Sequence, residues 1–553
     1  MSRYGQHRPR ARRRGSGPAA ACVGRPVTCR AARAIMLAIV VAGWSADRTR
    51  GQAPLPGRFA GDGIVVGFEY ALLDNERLAA GMAEAFARIG LPGMKHYVEA
   101  VQWGNMQGGP DEEIDFTKFD RFVREYQTRG FTELTISLKP HSGWASRDVR
   151  LLTSTNASPK PEYVDLFREW VRAVVERYDG DGAEDMDGLR WPIRYVEIGN
   201  ELSSYQPEPV DEYLETLTHA YEAAHAASED VLIGHAAFLF APVNMDVTDL
   251  SQVDSVWAGT RRVDDHHDLA DMRAILDRPD AFDFINIHNL GPPYEIEHVM
   301  RWLRHETASR GYEKPVVISD TTPTSYIGWG PATECTGPVL GVLGAPATEA
   351  DRCRLAGFFT RLVQNDRATL DWTRGFVAAD HVQRLIIAAE QGVRIINLAF
   401  VTDLPWLTLE PMRAGAGISA WGGAIRINPW TGRVLDYYPP FYAVRQMMDH
   451  LAGYAAIEHL RMEDERIRVY RVDGAAGPFW VAWLDPERAI IAGDDPPMIE
   501  VAIDIGAAGA DIEPVITAVG QTDPTRTRVR APGGSATVTL SHAPIYIFPT
   551  PPG

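Results

Sequence analysis

Two acidic residues, 119 positions apart, stand where chemistry can be done. Each closes a short apolar run: Tyr195-Val-Glu-Ile-Gly-Asn-Glu201 and Lys314-Pro-Val-Val-Ile-Ser-Asp320. Two carboxyl groups on opposite sides of one pocket could split a glycosidic bond. One gives a proton to the leaving oxygen; the other attacks the anomeric carbon or positions water. The ends of other apolar runs carry residues that suit the same work. Asn200 precedes Glu201, His288 closes Ile285-Asn-Ile-His288, His141 and Trp144 lie in Lys139-Pro-His-Ser-Gly-Trp144, and Glu69-Tyr70 follows the first run. Trp103 follows the second run and Trp406 the last. Asn, His and Tyr suit hydroxyl recognition, and indole faces suit the apolar faces of sugar rings. Glu197 falls mid-run and reads as structural, and His235 reads as core or as a residue behind the site. The run Asp264-Asp-His-His-Asp268 holds ligand-type residues but reads as a solvated loop, so no metal is expected. No Gly-x-Gly-x-x-Gly follows an early apolar run, and no cofactor is expected.

These residues need elements to position them. Eight short apolar runs read as buried parallel strands: Ile64–Gly67, Met94–Val101, Leu134–Leu138, Ile193–Ile198, Val231–Gly234, Phe284–Ile287, Val316–Ile318 and Val393–Ala399. Helical patterns separate them, as at Leu72–Ile89, Phe119–Thr128, Tyr163–Tyr178, Val210–Ala227, Ile296–Ser309 and Val377–Gln391. The alternation implies an α/β chain with a closed (β/α)8 TIM barrel over residues 54–450, whose strand C-terminal ends carry the site. Asp246–Asp265 and Thr321–Glu349 read as long functional loops. After residue 450, short period-two runs at Arg466–Val472, Phe479–Leu484, Ile499–Ile505, Pro514–Val519 and Ala536–Leu540 imply a C-terminal β-sandwich over 451–553.

The chain has 553 residues and a net charge of −18. Residues 1–53 hold 11 Arg and one Asp, a net +10, so the remainder carries −28. An acidic surface argues against nucleic acid as partner. The basic stretch runs into the 13 apolar residues Ala34–Ala46, too short to span a bilayer at about 20 residues, and reads as a signal segment over 1–53. A secreted or periplasmic protein with no stable membrane span is expected. Cys335 and Cys353, which lie beyond that segment, form a disulfide candidate.

Four stretches resemble the retaining glycoside hydrolases of the large (β/α)8-barrel clan, of the family 5, 39, 42 and 51 types. They are Gln102-Trp-Gly-Asn with Ile114-Asp-Phe-Thr-Lys-Phe-Asp120, Pro140-His-Ser-Gly-Trp144-Ala, Ile198-Gly-Asn-Glu201, and Lys314-Pro-Val-Val-Ile-Ser-Asp320. The resemblance covers about residues 60–450. It implies Glu201 as acid/base, Asp320 as nucleophile, Asn200 on the sugar 2-hydroxyl and His288 as the strand-six histidine. An oligo- or polysaccharide is the implied substrate. The clan has Glu where this chain has Asp320, and Leu290 stands where a Tyr often follows the histidine. The missing methylene leaves two readings: an exported glycoside hydrolase, or an inactive barrel that binds glycans.

Overall fold

The computed structural model describes residues 63–550 except 74, 97, 148–156, 203–207, 241–246, 248, 260–267, 324–348, 404–417 and 487–489. The basic leader, Trp406 and Cys335 lie outside the described residues.

Eight parallel strands close a barrel in sequence order: β1 Val65–Ala71, β2 Gly93–His96, β3 Glu133–Leu138, β4 Tyr195–Glu201, β5 Leu232–Leu239, β6 Ile285–Asn289, β7 Val316–Thr321 and β8 Ile395–Leu398. β8 pairs back onto β1 through Val65–Ile395 to Phe68–Leu398. Outward residues such as Val66, Phe68, Met94, Ile136 and Ile198 pack under the surrounding helices. The helix Thr117–Gln127 shows how: Phe119, Phe122, Val123 and Tyr126 recur at helical spacing and are buried. Arg177 and the Tyr178 hydroxyl bind Asp120 on the same helix at 2.8 and 2.7 Å.

The barrel interior is layered. Val65, Tyr195, Phe284, Val317 and Ile395 plug its floor. Above them the inward residues turn polar, among them Lys95, Glu197, Asn286 and Asn397, all buried. Gly67 makes room for this layer, since a Cβ there would lie 2.3 Å from Asn397 Oδ1 and 2.8 Å from the Gly93 carbonyl carbon.

The helix between β7 and β8 is longer than the pattern suggests, Arg367–Glu390. The helices Val253–Gly259, Leu269–Leu276, Glu349–Val363 and Pro439–Leu451 are additional to the sequence reading. Val253–Gly259 lies within the stretch 246–265 read as a long functional loop, and gives it a helix of its own. Asp268, from the polar run, caps Leu269–Leu276 in a capping box with Asp271.

A hairpin, β9 Ile425–Ile427 with β10 Val434–Tyr437, follows the barrel. Then eight antiparallel strands form a sandwich. One sheet has the order β11 (Ala456–His459), β12 (Ile467–Gly474), β13 (Gly477–Leu484), β18 (Ile545–Thr550), β15 (Gly509–Pro514) and β16 (Thr527–Arg530). The other pairs β14 (Ile499–Asp504) with β17 (Ser535–Leu540). Val469, Trp480, Ala482, Val501, Ile503, Val538 and Ile547 fill the space between the sheets. The opposite face of the large sheet brings Tyr470, Val472, Phe479, Val481, Trp483 and Tyr546 into the same apolar cluster as the barrel helices. Arg468 reaches Glu297 on a barrel helix at 3.0 Å, and the Tyr470 hydroxyl donates to Glu297 at 2.7 Å. The strand read at Pro514–Val519 lies earlier, at Gly509–Pro514. Its buried Glu513 breaks the apolar alternation and is held instead by Gln446 and His450, each at 2.7 Å. Among the described residues, no helix is long and apolar enough to cross a membrane.

Candidate active site

The C-terminal ends of β1, β4 and β7 share an irregularity. Between Phe68 and Ala71 on β1, Ile198 and Glu201 on β4, and Ile318 and Thr321 on β7, each strand carries one residue more than its neighbour. A β-bulge of this kind re-aims the side chains beyond it. The three extra residues sit at Glu69-Tyr70, Gly199-Asn200 and Ser319-Asp320. Tyr70 has φ +75° and Gly199 φ +94°, the left-handed turn such a kink requires. On β7 the bulge sets His288 of β6 beside Asp320.

Bulges strand backbone carbonyls, and buried carbonyls need donors. Side chains supply them here. The Ile198 carbonyl accepts from the Tyr213 hydroxyl at 2.8 Å, and the Gly199 carbonyl from the Ser137 hydroxyl at 2.6 Å. The Ser319 carbonyl accepts from Lys95 Nζ at 3.4 Å.

The result is a cluster of ionisable groups at the barrel mouth. One ligand-type atom each of Glu201, His288 and Asp320 lies within 4.8 Å of the others. His288 Nδ1 is 3.0 Å from Glu201 Oε1, and its Nε2 is 2.9 Å from Ser319 Oγ. The Glu201 side chain keeps 16% of its surface exposed, while Asp320 keeps 8%. Beneath them Lys95 Nζ stands 2.7 Å from Glu197 Oε1 and 3.3 Å from Glu69 Oε1, all three buried.

Four carboxyl groups and one lysine gathered at the barrel mouth cannot all keep their ordinary acidities. Burial, then the charge of Asp320, pushes Glu69 well above the carboxylate range against the pull of Lys95. Burial raises Asp320 too, opposed by His288 and Lys95. Burial also works against ionised Glu197, yet Lys95 and His288 prevail and hold its carboxyl below the usual range. Lys95, desolvated but flanked by Glu197 and Glu69, is held above its ordinary value and stays charged.

Behind the mouth, Arg384 of the long helix is fully buried. It pairs with Asp380 and pins the ends of β6 and β7, donating to Thr321 Oγ1 at 2.9 Å and to the Gly291 carbonyl at 2.6 Å, and also to Asn289 Oδ1.

The structure thus brings Glu201, His288 and Asp320 together, with half-buried Asn200 beside them on β4. Tyr70 is half-buried and packs edge-on against Phe400 at 4.6 Å. His141 is half-buried, bonds Gln102 through Nδ1, and has its acidity strengthened by burial and by Lys139. Trp144 is half-buried and donates to the Gln107 carbonyl at 2.9 Å. Trp103 is a correction. It has no exposed surface, lies among Trp144, Phe167 and Trp170, and spends its indole N–H on Gln107 at 2.9 Å. It is core, with no face left for a sugar. Cys353 is disulfide-bonded. His235 is core, as its place on β5 suggests, and burial holds its imidazole down to about 4. Lys95, Ser319 and Arg384 had no signal in the sequence; Glu69 had only its place at a strand end.

No family model and no curated protein matches the chain. Solved structures do. A family 39 glycoside hydrolase from the gut symbiont Bacteroides cellulosilyticus is 12% identical, with a TM-score of 0.54 over 88% of this chain and 81% of that one. A thermostable GH51 alpha-L-arabinofuranosidase from Thermotoga petrophila is 12% identical, with a TM-score of 0.50 over 90% of this chain and 96% of that one. The chain has the barrel-and-sandwich fold of these glycoside hydrolases.

Proposed function

We propose that the protein is a glycoside hydrolase that cleaves O-glycosidic bonds with retention, Glu201 acting as acid/base and Asp320 as nucleophile. One observation carries this reading: an oxygen of Glu201 lies within 4.8 Å of an oxygen of Asp320, across the mouth of the barrel. Retaining enzymes hold their carboxyl groups roughly 5–5.5 Å apart, inverting ones roughly 6.5–9.5 Å to admit a water. The bulge at Ser319 carries Asp320 inward and makes up for its missing methylene. That favours an active enzyme over an inert glycan-binding barrel. The fold shared with known glycoside hydrolases supports the same reading.

Glu201, the more exposed of the two, protonates the leaving oxygen while Asp320 attacks the anomeric carbon. A glycosyl ester forms on Asp320, and Glu201, now ionised, takes a proton from the water that hydrolyses it. Asn200, next to Glu201, is placed for the sugar 2-hydroxyl. The substrate is an oligo- or polysaccharide. Export fits the arginine-rich leader and the disulfide at Cys353.

A panel of aryl glycosides tests the reading, with the anomer of the first product followed by proton NMR. Retention of configuration, lost together with turnover in Glu201→Gln, is the expected outcome. Saccharide binding without turnover in the wild type, with turnover gained in Asp320→Glu, would establish the inert barrel instead.

A further inference from the structure

The cluster contains one carboxyl group more than the two-carboxylate reaction uses. Glu69 is 1% exposed at the bulge of β1, and the groups that face it come from three other strands: Lys95 of β2, Glu197 of β4 and Asp320 of β7. Asp320 in turn faces Glu69, Lys95, Glu201 and His288. Lys95 occupies Glu69 Oε1 at 3.3 Å. The other oxygen, Oε2, is buried and meets no donor among the described residues, and neither does Asp320 Oδ1. Two buried acceptors without donors cost free energy, and each such group has a cause. A single proton between them satisfies both at once. Leu290, buried nearby in the chain after β6, offers no hydroxyl for that purpose.

We propose that Glu69 is a positioning residue that keeps a proton on Oε2 and donates it to Asp320 Oδ1, so that the two carboxyl groups carry one negative charge and Asp320 is presented ionised to the sugar. This rests on the reading of Asp320 as nucleophile. Asp is the stronger acid of the two by its ordinary value. Two cations, His288 and Lys95, favour charge on Asp320 against Glu201, whereas on Glu69 Lys95 alone favours charge and both Asp320 and Glu197 oppose it. The proton therefore rests on Glu69. No proton leaves the pair during glycosylation. The bond from Asp320 to the anomeric carbon forms, the leaving oxygen takes its proton from Glu201, and Glu69 stays neutral as a donor to the new ester.

Infrared difference spectroscopy of the full chain at pH 7, wild type against Glu69→Gln, reads the proton without needing a substrate. A protonated-carboxyl band present in the wild type and missing in Glu69→Gln is expected; its absence from the wild type overturns the proposal, whatever the enzyme cleaves. Kinetics give the second readout. Glu69→Leu removes the donor and lowers kcat roughly tenfold to a hundredfold, the worth of a hydrogen bond to a charged group. Glu69→Gln keeps an N–H donor and recovers most of that loss. The donor stabilises ionised Asp320, so its removal moves the acid limb of kcat/KM to higher pH in Glu69→Leu, and Glu69→Gln moves it back. Equal activity and equal acid limbs in the two variants overturn the assignment. If no glycoside is cleaved, the glycosidase reading fails while the infrared band still decides the fate of the shared proton.

Discussion

The floor and the mouth of the barrel are made by the same strands, a few residues apart. At the floor, Val65, Tyr195, Phe284, Val317 and Ile395 close an apolar plug, and β1 and β8 run in unbroken register from Val65 to Phe68. At the mouth, β1, β4 and β7 each gain a residue, and the inward positions become Glu69, Glu201, His288 and Asp320. The floor gains free energy from burial. The mouth gives some back, because three carboxyl groups surround one lysine. Stability and function are thus segregated along the strand direction, and substitutions at the two ends should fail in opposite ways.

The largest effect is expected at the mouth. Asp320→Asn should lower kcat by on the order of 10⁴-fold and Glu201→Gln by about 10²–10⁴-fold, in steady-state assays on the best aryl glycoside, with the fold unchanged by circular dichroism. Phe284→Ala at the floor should do the reverse. Denaturant unfolding should show a loss of about 3–5 kcal/mol, while kcat per folded molecule holds. A loss of kcat matching that of the mouth variants would erase the distinction.

Lys95 joins the two ends, and Lys95→Met should cost about 3–5 kcal/mol at neutral pH, since ionised Glu197 would be left buried without its cation. The folded pKa of Glu197 would then lie above its unfolded value. Such groups add stability below the ordinary carboxylate range and lose it as pH rises through the folded value, so the deficit should shrink on acidification. The smallest effect has the opposite sign. Asp320 is also raised, so its ionisation costs stability at neutral pH. Asp320→Asn should melt slightly above the wild type at pH 7, and the gap should close as pH falls toward the ordinary aspartate range. A melting temperature below wild type at pH 7 would show that the mouth is not strained by its charges.

The same contrast explains what could be read from the chain. Buried parallel strands are runs of apolar residues, so all eight barrel strands were legible. Their ends were not. β1 continues four residues past Gly67 and β7 three past Ile318, because the bulged ends carry Glu, Ser, Asp and Thr and look like loop. Glu201, His288 and Asp320 were legible because each follows an apolar run. Lys95 was not, since its partners stand 26 positions before it and 102 after it. Trp103 misled for a related reason: an indole after a strand suits a sugar or a core equally well, and only packing decides. Pro439–Leu451 was hidden by its opening Pro-Pro, a breaker inside a helix but favourable at its first turn. In the sandwich, β16 is a charged edge strand, Thr-Arg-Val-Arg, with too little apolar character to announce itself.

The apolar cluster that runs from the barrel helices into the large sheet of the sandwich bears on how the chain is handled. A gene cut at residue 450 would leave Phe441, Val444 and Met447 without Val481, Trp483 and Tyr546 from the cluster they share. The barrel is therefore no detachable module. Truncates should precipitate on expression, and scanning calorimetry of the whole chain should record one melting endotherm where separable modules would give two.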